Sequence, residues 1–380
     1  MNDVVIFYGS NIAFQKIIPS TECRNLTDLI MEIDTDSRSF ILEIPDKQLP
    51  DRKKVKVKNF VIESSEYSGV KEHVILNFAN FLGKLDIENL YIQNPPISIS
   101  SQIEKIYPQT KIVKQEYNTI KKDDLVNLYN SYERKIKGQK KVLDGLIQAL
   151  YPLTNSNRSK PVVILFYGDT GLGKTETAHA ISSVIGEKLF RKQFSMFQNN
   201  QFATYLFGGA YYEKSFAKEL LERESNVILL DEFDKAYSVF HSAFYQLFDE
   251  GIYEDQNYKL ELKKSIIICT SNYKSLDDIK NKLGNAIFSR FDSVIKFEDL
   301  SISAKVEIAT EMFNTKYDSY DSTEQQIIED YSIKEKLIAA CTSCNNAREI
   351  SHLIDNTFSL ILFRNLIKNK DLDNWKSNIY

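Results

Sequence analysis

The sequence predicts an α/β fold in three parts: a small N-terminal α/β domain, a three-layer αβα domain around a glycine-rich loop, and a helical C-terminal domain. Three observations predict it. Short apolar strands alternate with helical patterns over the first 120 residues, as in α/β domains. A buried strand then leads directly into the glycine-rich loop, and from about residue 301 apolar residues recur only at helical spacing. We therefore expect domains at 1–120, 131–300 and 301–380.

The composition excludes several classes of protein. With 43% hydrophobic and 26% charged residues, a chain of 380 residues is neither disordered nor fibrous, and it is long enough for two or three domains. Its apolar runs are far shorter than the roughly 18 residues that cross a bilayer, so we expect no membrane segment. Four cysteines are too few for a disulfide scaffold and favour a cytoplasmic protein. The net charge of −4, from 48 Lys plus Arg against 52 Asp plus Glu, argues against a dedicated nucleic-acid binder.

The first 120 residues predict a domain of strands and helices without a repeat. Strands are expected at 4–8, 40–44, 55–62, 89–93 and 111–117, and helices at 73–85 and 100–107. Basic residues alternate with valines over 52–58, which favours a strand with one solvated face over a nucleic-acid patch. The segment 4–9 resembles the strand before the later glycine-rich loop, but no Gly-Lys pair follows it, so we assign it no phosphate role.

The strand at 162–167 leads into a phosphate-binding loop, Gly168-Asp169-Thr170-Gly171-Leu172-Gly173-Lys174-Thr175. Its glycines allow backbone N–H groups to turn inward around an anion, and the helix that follows points its positive end at the same place. Lys174 is expected to reach the β- and γ-phosphates of a nucleotide, and the Thr175 hydroxyl to bind Mg²⁺. The strand before the loop and the amphipathic helix after it argue against an ordinary glycine-rich loop.

Two carboxylates, Asp231 and Glu232, end a second buried strand at 226–230. At the carboxyl end of such a strand, Asp231 would hold Mg²⁺ through water and Glu232 would polarise the attacking water. The alternative is a strand-to-helix turn with a capping aspartate.

Three further polar residues are candidates for the same site. Asn272, after the strand at 265–270, either orients the lytic water or caps a turn. Arg290 precedes the strand at 293–297, and is either an arginine finger for a neighbouring subunit or a surface residue paired with Asp292. Arg348 opens a helix of the last domain, and either contacts the phosphate from within the chain or is solvated.

The order of these motifs resembles that of AAA+ ATPases over about residues 130–370, and within them the Clp/Hsp100 clade. The clade resemblance is carried by Ile136-Lys137-Gly138-Gln139, by Val-Ile-Leu-Leu-Asp-Glu-Phe-Asp-Lys-Ala at 227–236, by Phe-Tyr-Gln-Leu-Phe-Asp-Glu-Gly at 244–251 and by Ile-Cys-Thr-Ser-Asn at 268–272.

The resemblance implies ATP hydrolysis by a P-loop base with a helical lid, working as a homo-oligomeric ring, usually a hexamer, because a finger acting on a neighbour needs a closing interface. It implies Glu232, Asn272 (sensor 1), Arg290 (finger) and Arg348 (sensor 2) as catalytic residues, and Thr175 and Asp231 as Mg²⁺ ligands. The residues implied to bind ATP are Ile136 against the adenine, Gly168, Asp169, Thr170, Gly171, Leu172, Gly173, Lys174, Thr175 and Glu176.

The sequence departs from the clade where substrate is gripped. Clp unfoldases carry an aromatic residue in a Gly-Tyr-Val-Gly-like loop, whereas 205–214 is shorter here and offers only Tyr211 or Tyr212, which is similar to torsins. The Ile-Gly-Phe or Ile-Gly-Leu tripeptide is missing from its expected place, so we expect no peptidase partner. Residue 346 is Asn where the family usually has Gly. The charged residues at 219–224 predict a solvated helix face.

Two functions remain open from the sequence. One is an ATP-driven motor that remodels, disassembles or unfolds a protein partner, recruited by residues 1–120 and gripped by Tyr211 or Tyr212. The other is a nucleotide-gated assembly switch or scaffold, for example in a defence system, that threads no polypeptide. A third function, a DNA-handling motor, is disfavoured by the near-neutral charge of the first domain.

Overall fold

Two parallel five-stranded sheets followed by a group of helices make up the computed structural model, which describes residues 1–38, 54–196 and 201–377. The predicted α/β fold class is confirmed. The strand expected at 40–44 lies outside the described residues. The placement of domain boundaries at 120, 131 and 300 stays a prediction.

The first sheet is formed by residues 3–114 and has the order β2-β3-β4-β1-β5. Its strands are β1 Asp3–Tyr8, β2 Cys23–Arg24, β3 Val55–Ile62, β4 Leu85–Gln93 and β5 Lys111–Lys114, and its helices are α1 Asn11–Phe14, α2 Leu26–Arg38, α3 Glu72–Leu76, α4 Phe78–Gly83 and α5 Ile97–Ile106. Apolar residues of β1, β3 and β4 form one core with the helices. In β3, Lys56 and Lys58 are exposed and Val57 is buried, which confirms the solvated face predicted from the lysine–valine alternation.

Several local predictions for this sheet differ from the structure. The strand expected at 89–93 begins earlier, at Leu85, and the strand expected at 111–117 ends at Lys114. The helix expected at 73–85 breaks into α3 and α4 at Asn77, whose backbone is not helical (φ −117°, ψ 37°), and Leu85 already belongs to β4. The helix expected at 100–107 begins three residues earlier, directly after Pro96. A proline just before the start of a helix restricts its own backbone, and the missing N–H costs no helical hydrogen bond there.

The second sheet has the order β7-β8-β11-β6-β12. Its strands are β6 Val162–Tyr167, β7 Phe190–Gln193, β8 Val227–Asp231, β11 Ile266–Ser271 and β12 Ser293–Lys296, and a separate antiparallel hairpin consists of β9 Ile252–Glu254 and β10 Lys259–Glu261. The helices are α6 Lys122–Lys135, α7 Lys140–Leu150, α8 Lys174–Ile185, α9 Gln201–Phe207, α10 Phe216–Leu221, α11 Tyr245–Glu250, α12 Leu276–Leu283 and α13 Asn285–Phe288. The strands predicted at 162–167, 226–230, 265–270 and 293–297 are confirmed to within about a residue. The central strands are buried on both faces, each face packing against its own apolar layer.

The C-terminal part is helical, as predicted, with α14 Ile302–Tyr317, α15 Ser322–Asp330, α16 Lys334–Cys341 and α17 Ala347–Ser377. Its core includes Phe313 and Phe358, whose ring centroids lie 5.0 Å apart edge to face. The sequence did not predict α15, a short polar helix that begins with a capping box between Asp321 and Glu324. Among the described residues, no helix has the length and apolar character needed to cross a membrane.

Candidate nucleotide site

The predicted site residues meet at the carboxyl ends of β6, β8 and β11. Strands that run parallel end at the same edge of a sheet, so the loop after β6, the carboxylates after β8 and the amide after β11 lie together. They line a cavity of about 570 Å³ with Arg348 from the helical part. A larger cavity of about 890 Å³ lies between the two sheets, but it contains none of the predicted site residues.

The phosphate-binding loop has the backbone that its glycines were expected to give. Gly171 (φ 70°) and Gly173 (φ 100°) take left-handed conformations, and α8 begins immediately afterwards at Lys174. At Gly168, a Cβ atom would lie 2.5 Å from the carbonyl oxygen of Phe297, so the close approach of the backbone just after β12 requires glycine. The loop also contacts the helical part, because the Ala347 N–H donates to the Gly171 carbonyl at 3.2 Å.

Lys174 is buried at the centre of the site. Its ammonium donates to the carbonyls of Gly168 (2.7 Å) and Asp169 (2.8 Å) and to Oδ1 of Asn272 (3.1 Å). Burial lowers the pKa of Lys174 to about 8, although the carboxylates of Asp231 and Asp169 act in the opposite direction. The lysine is thus held at the loop, next to the amide predicted as sensor 1.

The carboxylates after β8 are positioned by a threonine that the sequence did not single out. The Thr270 hydroxyl, on β11, donates to Oδ1 of Asp231 at 2.6 Å and accepts the backbone N–H of Glu232 at 2.8 Å. Glu232 has a left-handed backbone (φ 54°), which is unfavourable for a residue with a side chain and turns it out of the strand direction. The Thr270 hydroxyl therefore positions both acids, Asp231 through its side chain and Glu232 through its backbone.

Two residues of the edge strand β7 complete this acidic part of the site. Arg191 donates from Nε to Oδ2 of Asp231 at 3.1 Å, and the Gln193 side-chain amide donates to Oε2 of Glu232 at 3.2 Å. Like Thr270, they are single polar residues near the end of a strand. These residues could have been found from the order of the strands, because that order decides which strand ends meet at the site. The sequence alone did not predict the strand order.

The other end of the cavity is apolar. Ile136 is buried there, 3.2 Å from the position of a Cβ on Gly173, and the lining continues through Leu300, Ile308 and Met312. Together with Glu176 and the loop residues 170–175, these side chains would enclose an aromatic base on one side and phosphates on the other.

Arg290 is not among the residues that line this cavity. Its Nε donates to Oδ2 of Asp249 at 2.8 Å, and its guanidinium lies 4.3 Å from the ring centroid of Tyr245. The alternative pairing with Asp292 is wrong, because Asp292 instead accepts the backbone N–H of Val163 and pairs with Arg158 at 3.5 Å. Asp292 therefore ties the start of β6 to the turn before β12.

The two candidate gripping residues lie in the loop between α9 and α10 and differ in their surroundings. The Tyr211 hydroxyl is 3.2 Å from Oγ of Ser98, and its ring packs against the core of the first sheet. Tyr212 is 68% exposed. Only Tyr212 presents its ring freely to a partner.

The comparisons with known proteins agree with this geometry. A family model described as AAA domain (Cdc48 subfamily) matches residues 159–335. The chaperone protein ClpB of Malacoplasma penetrans is 28% identical over 299 residues, covering 72% of this chain and 41% of the relative. ClpB of Mycoplasmoides gallisepticum is 27% identical over 361 residues, covering 88% and 46%. The chain thus spans less than half the length of these curated relatives.

A solved structure of Hsp104 in its closed state, with ATPγS and FITC casein, resembles this chain with a TM-score of 0.53 at 13% identity, and the match covers 97% of this chain and 89% of that one. That likeness concerns the fold. The phosphate loop and paired acids at the edge of a parallel sheet, with the match over 159–335, define an AAA ATPase domain. Together with the ClpB relatives, the match supports a AAA+ ATPase of the Clp/Hsp100 type.

Proposed function

We propose that this chain hydrolyses ATP in the 570 Å³ cavity and uses the motion between sheet and helical lid to remodel a protein partner within a homo-oligomeric ring. The observation that carries the proposal is that one cavity is lined by the phosphate loop, the paired carboxylates and Arg348 of the lid. A nucleotide there would contact both parts of the chain, so loss of its γ-phosphate would change how the lid packs on the sheet.

Each residue of the site has a role that its surroundings support. Lys174 and the loop N–H groups bind the phosphates, and Ile136 with the apolar lining receives the adenine. Glu232 polarises the attacking water and Asn272 orients it, while Arg348 contacts the phosphate from the lid.

The oxygen donors fit Mg²⁺. The Thr175 hydroxyl and the Asp231 carboxylate line the same cavity, and oxygen ligands are what this cation prefers. Both Asp231 oxygens already accept hydrogen bonds, from Thr270 and Arg191, which favours contact through water. When bound, Mg²⁺ would offset the charge of the β- and γ-phosphates.

The proposal is tested by two substitutions. Lys174→Ala is expected to abolish ATP binding, because it removes the charge at the centre of the phosphate loop. Glu232→Gln is expected to keep ATP binding and to lower hydrolysis on the order of 10²–10⁴-fold, since the general base is lost. Nucleotide binding and phosphate release are measured together, with Lys188→Ala, an exposed lysine beyond α8, as the matched control. Normal turnover by the Glu232→Gln protein would refute the proposed site.

A second function, a nucleotide-gated assembly switch without polypeptide threading, is favoured by Tyr211. Its hydroxyl contact with Ser98 and its packing on the first sheet engage one of the two aromatic residues that a gripping loop could use. In such a switch, ATP would change the assembly state while the loop between α9 and α10 kept an internal structural role.

A further inference from the structure

The two sheets have the same topology. We number the strands of each sheet from one to five in chain order and leave the β9–β10 hairpin aside. In both sheets the spatial order is then second, third, fourth, first, fifth, and all neighbouring strands are parallel. The first strands also end alike, as Phe7-Tyr8-Gly9 and Phe166-Tyr167-Gly168.

The register of the strands is the same as well. Three residues before the glycine, Ile6 pairs with Ile92 of the fourth strand, which pairs with Ile62 of the third. The corresponding row in the second sheet is Leu165, Cys269 and Leu230. After the fifth strand, the N–H of Gln115 donates to the Tyr8 carbonyl at 2.8 Å, and the N–H of Phe297 donates to the Tyr167 carbonyl at the same distance.

This register places other residues at most positions where the ATP site has its chemistry. The residue six positions after the glycine is Gln15 in place of Lys174, and Pro95 follows the fourth strand in place of Asn272. Glu63-Ser64 follow the third strand in place of Asp231-Glu232, so a carboxylate is kept at the first of these positions and lost at the second, that of the proposed general base. Ile12 and Phe14 replace Gly171 and Gly173, so the left-handed turns of a phosphate loop are unfavourable and α1 begins at once.

A carboxylate from the AAA domain lies at the end of the first sheet where β1 and β4 end. Glu222, just after α10, accepts the backbone N–H of Asn11 at 3.1 Å, the side-chain amide of Gln93 at 3.1 Å and that of Asn94 at 2.8 Å. Gln93 and Asn94 are fully buried, and both also donate to the carbonyl of Gly9. In the AAA domain the equivalent carbonyl, that of Gly168, accepts from Lys174. The prediction of a solvated helix face at 219–224 is therefore wrong, because α10 ends at Leu221, Glu222 is bound by the first sheet and Arg223 is buried.

We propose that the first sheet with its helices, in residues 1–38 and 54–114, is a second copy of the AAA sheet that binds no nucleotide, and that the Glu222 carboxylate fills the phosphate position of this copy and locks it to the AAA domain. Three donors converge on the carboxylate, and hydrogen bonds to a charged acceptor are among the stronger ones. Since α10 directly follows the loop that holds Tyr211 and Tyr212, the lock also fixes one end of that loop to the first sheet.

The first test is the number of nucleotides bound per chain. Equilibrium dialysis of the full chain with labelled ATPγS is expected to give one per chain, and none for Lys174→Ala. Two per chain in the unaltered protein, or binding that persists in Lys174→Ala, would overturn the claim that the first sheet binds no nucleotide. One bound nucleotide per chain supports a first sheet without nucleotide, whether or not the chain hydrolyses ATP. The outcome is therefore separate from the test of the proposed function.

The second test removes the negative charge of Glu222, which is proposed to hold the first sheet to the AAA domain. In Glu222→Gln an amide faces three donors, so amide hydrogen exchange in residues 3–14 is expected to speed up about tenfold or more, the size of one lost charge-assisted bond. Glu224→Gln, which removes the same charge two positions on, is expected to match the unaltered protein. Retained binding of one ATPγS per chain confirms that the Glu222→Gln protein is folded. Equal exchange in the two variants would overturn the lock.

Discussion

At the scale of single residues, Lys174 governs how the site responds to pH. Its side chain is buried, and burial lowers its pKa from 10.5 to about 8. The γ-phosphate of a nucleotide, with a second pKa of about 6, is already ionised in this range. The charge of Lys174 therefore changes just above neutral pH.

ATP affinity is therefore expected to fall as the pH rises through about 8. Phosphate binds the protonated lysine, so below that pKa the affinity is constant. Above it, each pH unit weakens binding up to about tenfold, until the higher pKa of the lysine in the complex is reached. Titration of the Glu232→Gln protein with a fluorescent ATP analogue between pH 7 and 9.5 measures this, with circular dichroism to confirm folding. A dissociation constant that stays unchanged over that range would contradict it.

Site residues could be predicted from the sequence where they are neighbours in the chain. The loop around Lys174 and the pair Asp231-Glu232 are such cases. Thr270 and Gln193 were not predicted, because they become site residues only through strand neighbours distant in the chain. The pairing of Arg290 was missed for the same reason. Its partner is Asp249, which is distant in the chain, and not the nearby Asp292.

At the scale of elements, the loop between α9 and α10 distinguishes the two proposed functions. It contains one engaged tyrosine, Tyr211, and one exposed tyrosine, Tyr212. A motor that threads polypeptide needs an exposed aromatic residue in this loop, whereas an assembly switch does not.

For the remodelling motor, Tyr212→Ala is expected to lower the rate at which a folded fluorescent test protein is unfolded by about tenfold or more, the size of losing one aromatic anchor of about 2 kcal/mol. ATP hydrolysis is expected to stay within about twofold, because Tyr212 is outside the nucleotide cavity. Tyr237→Ala, an exposed tyrosine outside that loop, is the control. Unchanged unfolding in Tyr212→Ala would favour the assembly switch.

Elements were predicted well where an apolar run is buried on both faces. β6, β8 and β11 are such strands, and their bounds differ from the predicted ones by about one residue. The edge strands β2 and β7 and the polar helix α15 lack such a run, and they were missed. Their positions follow from neighbouring strands and caps rather than from hydrophobic periodicity.

At the scale of the whole molecule, the sequence showed only one sign of the repeated sheet, the resemblance of segment 4–9 to the strand before the glycine-rich loop. The two copies share Phe-Tyr-Gly at the end of the first strand, but strand order and register arise from long-range pairing. The position of Arg290 also belongs to this scale. It lies outside the cavity of its own chain and next to Asp249, which fits a finger that acts on a neighbour in a ring.

The proposed ATP hydrolysis within a homo-oligomeric ring includes the prediction that Arg290 of one subunit completes the ATP site of the next, and mixing two inactive variants tests it most directly. Arg290→Ala and Glu232→Gln are each expected to bind ATP and to lack turnover, since a finger contributes on the order of 10³–10⁵ in rate. In randomly mixed rings about a quarter of the interfaces combine an intact Glu232 with an intact Arg290 from the neighbour.

The measurement is the steady-state ATPase rate of the two variants, mixed in equal amounts before ATP is added. We predict recovery to about a quarter of the unaltered rate, as the share of intact interfaces requires. A mixture of Lys174→Ala with Glu232→Gln is the control and should stay inactive, because both changes damage the same side of the interface. A mixture of Arg290→Ala with Glu232→Gln that stays as inactive as this control would contradict the account.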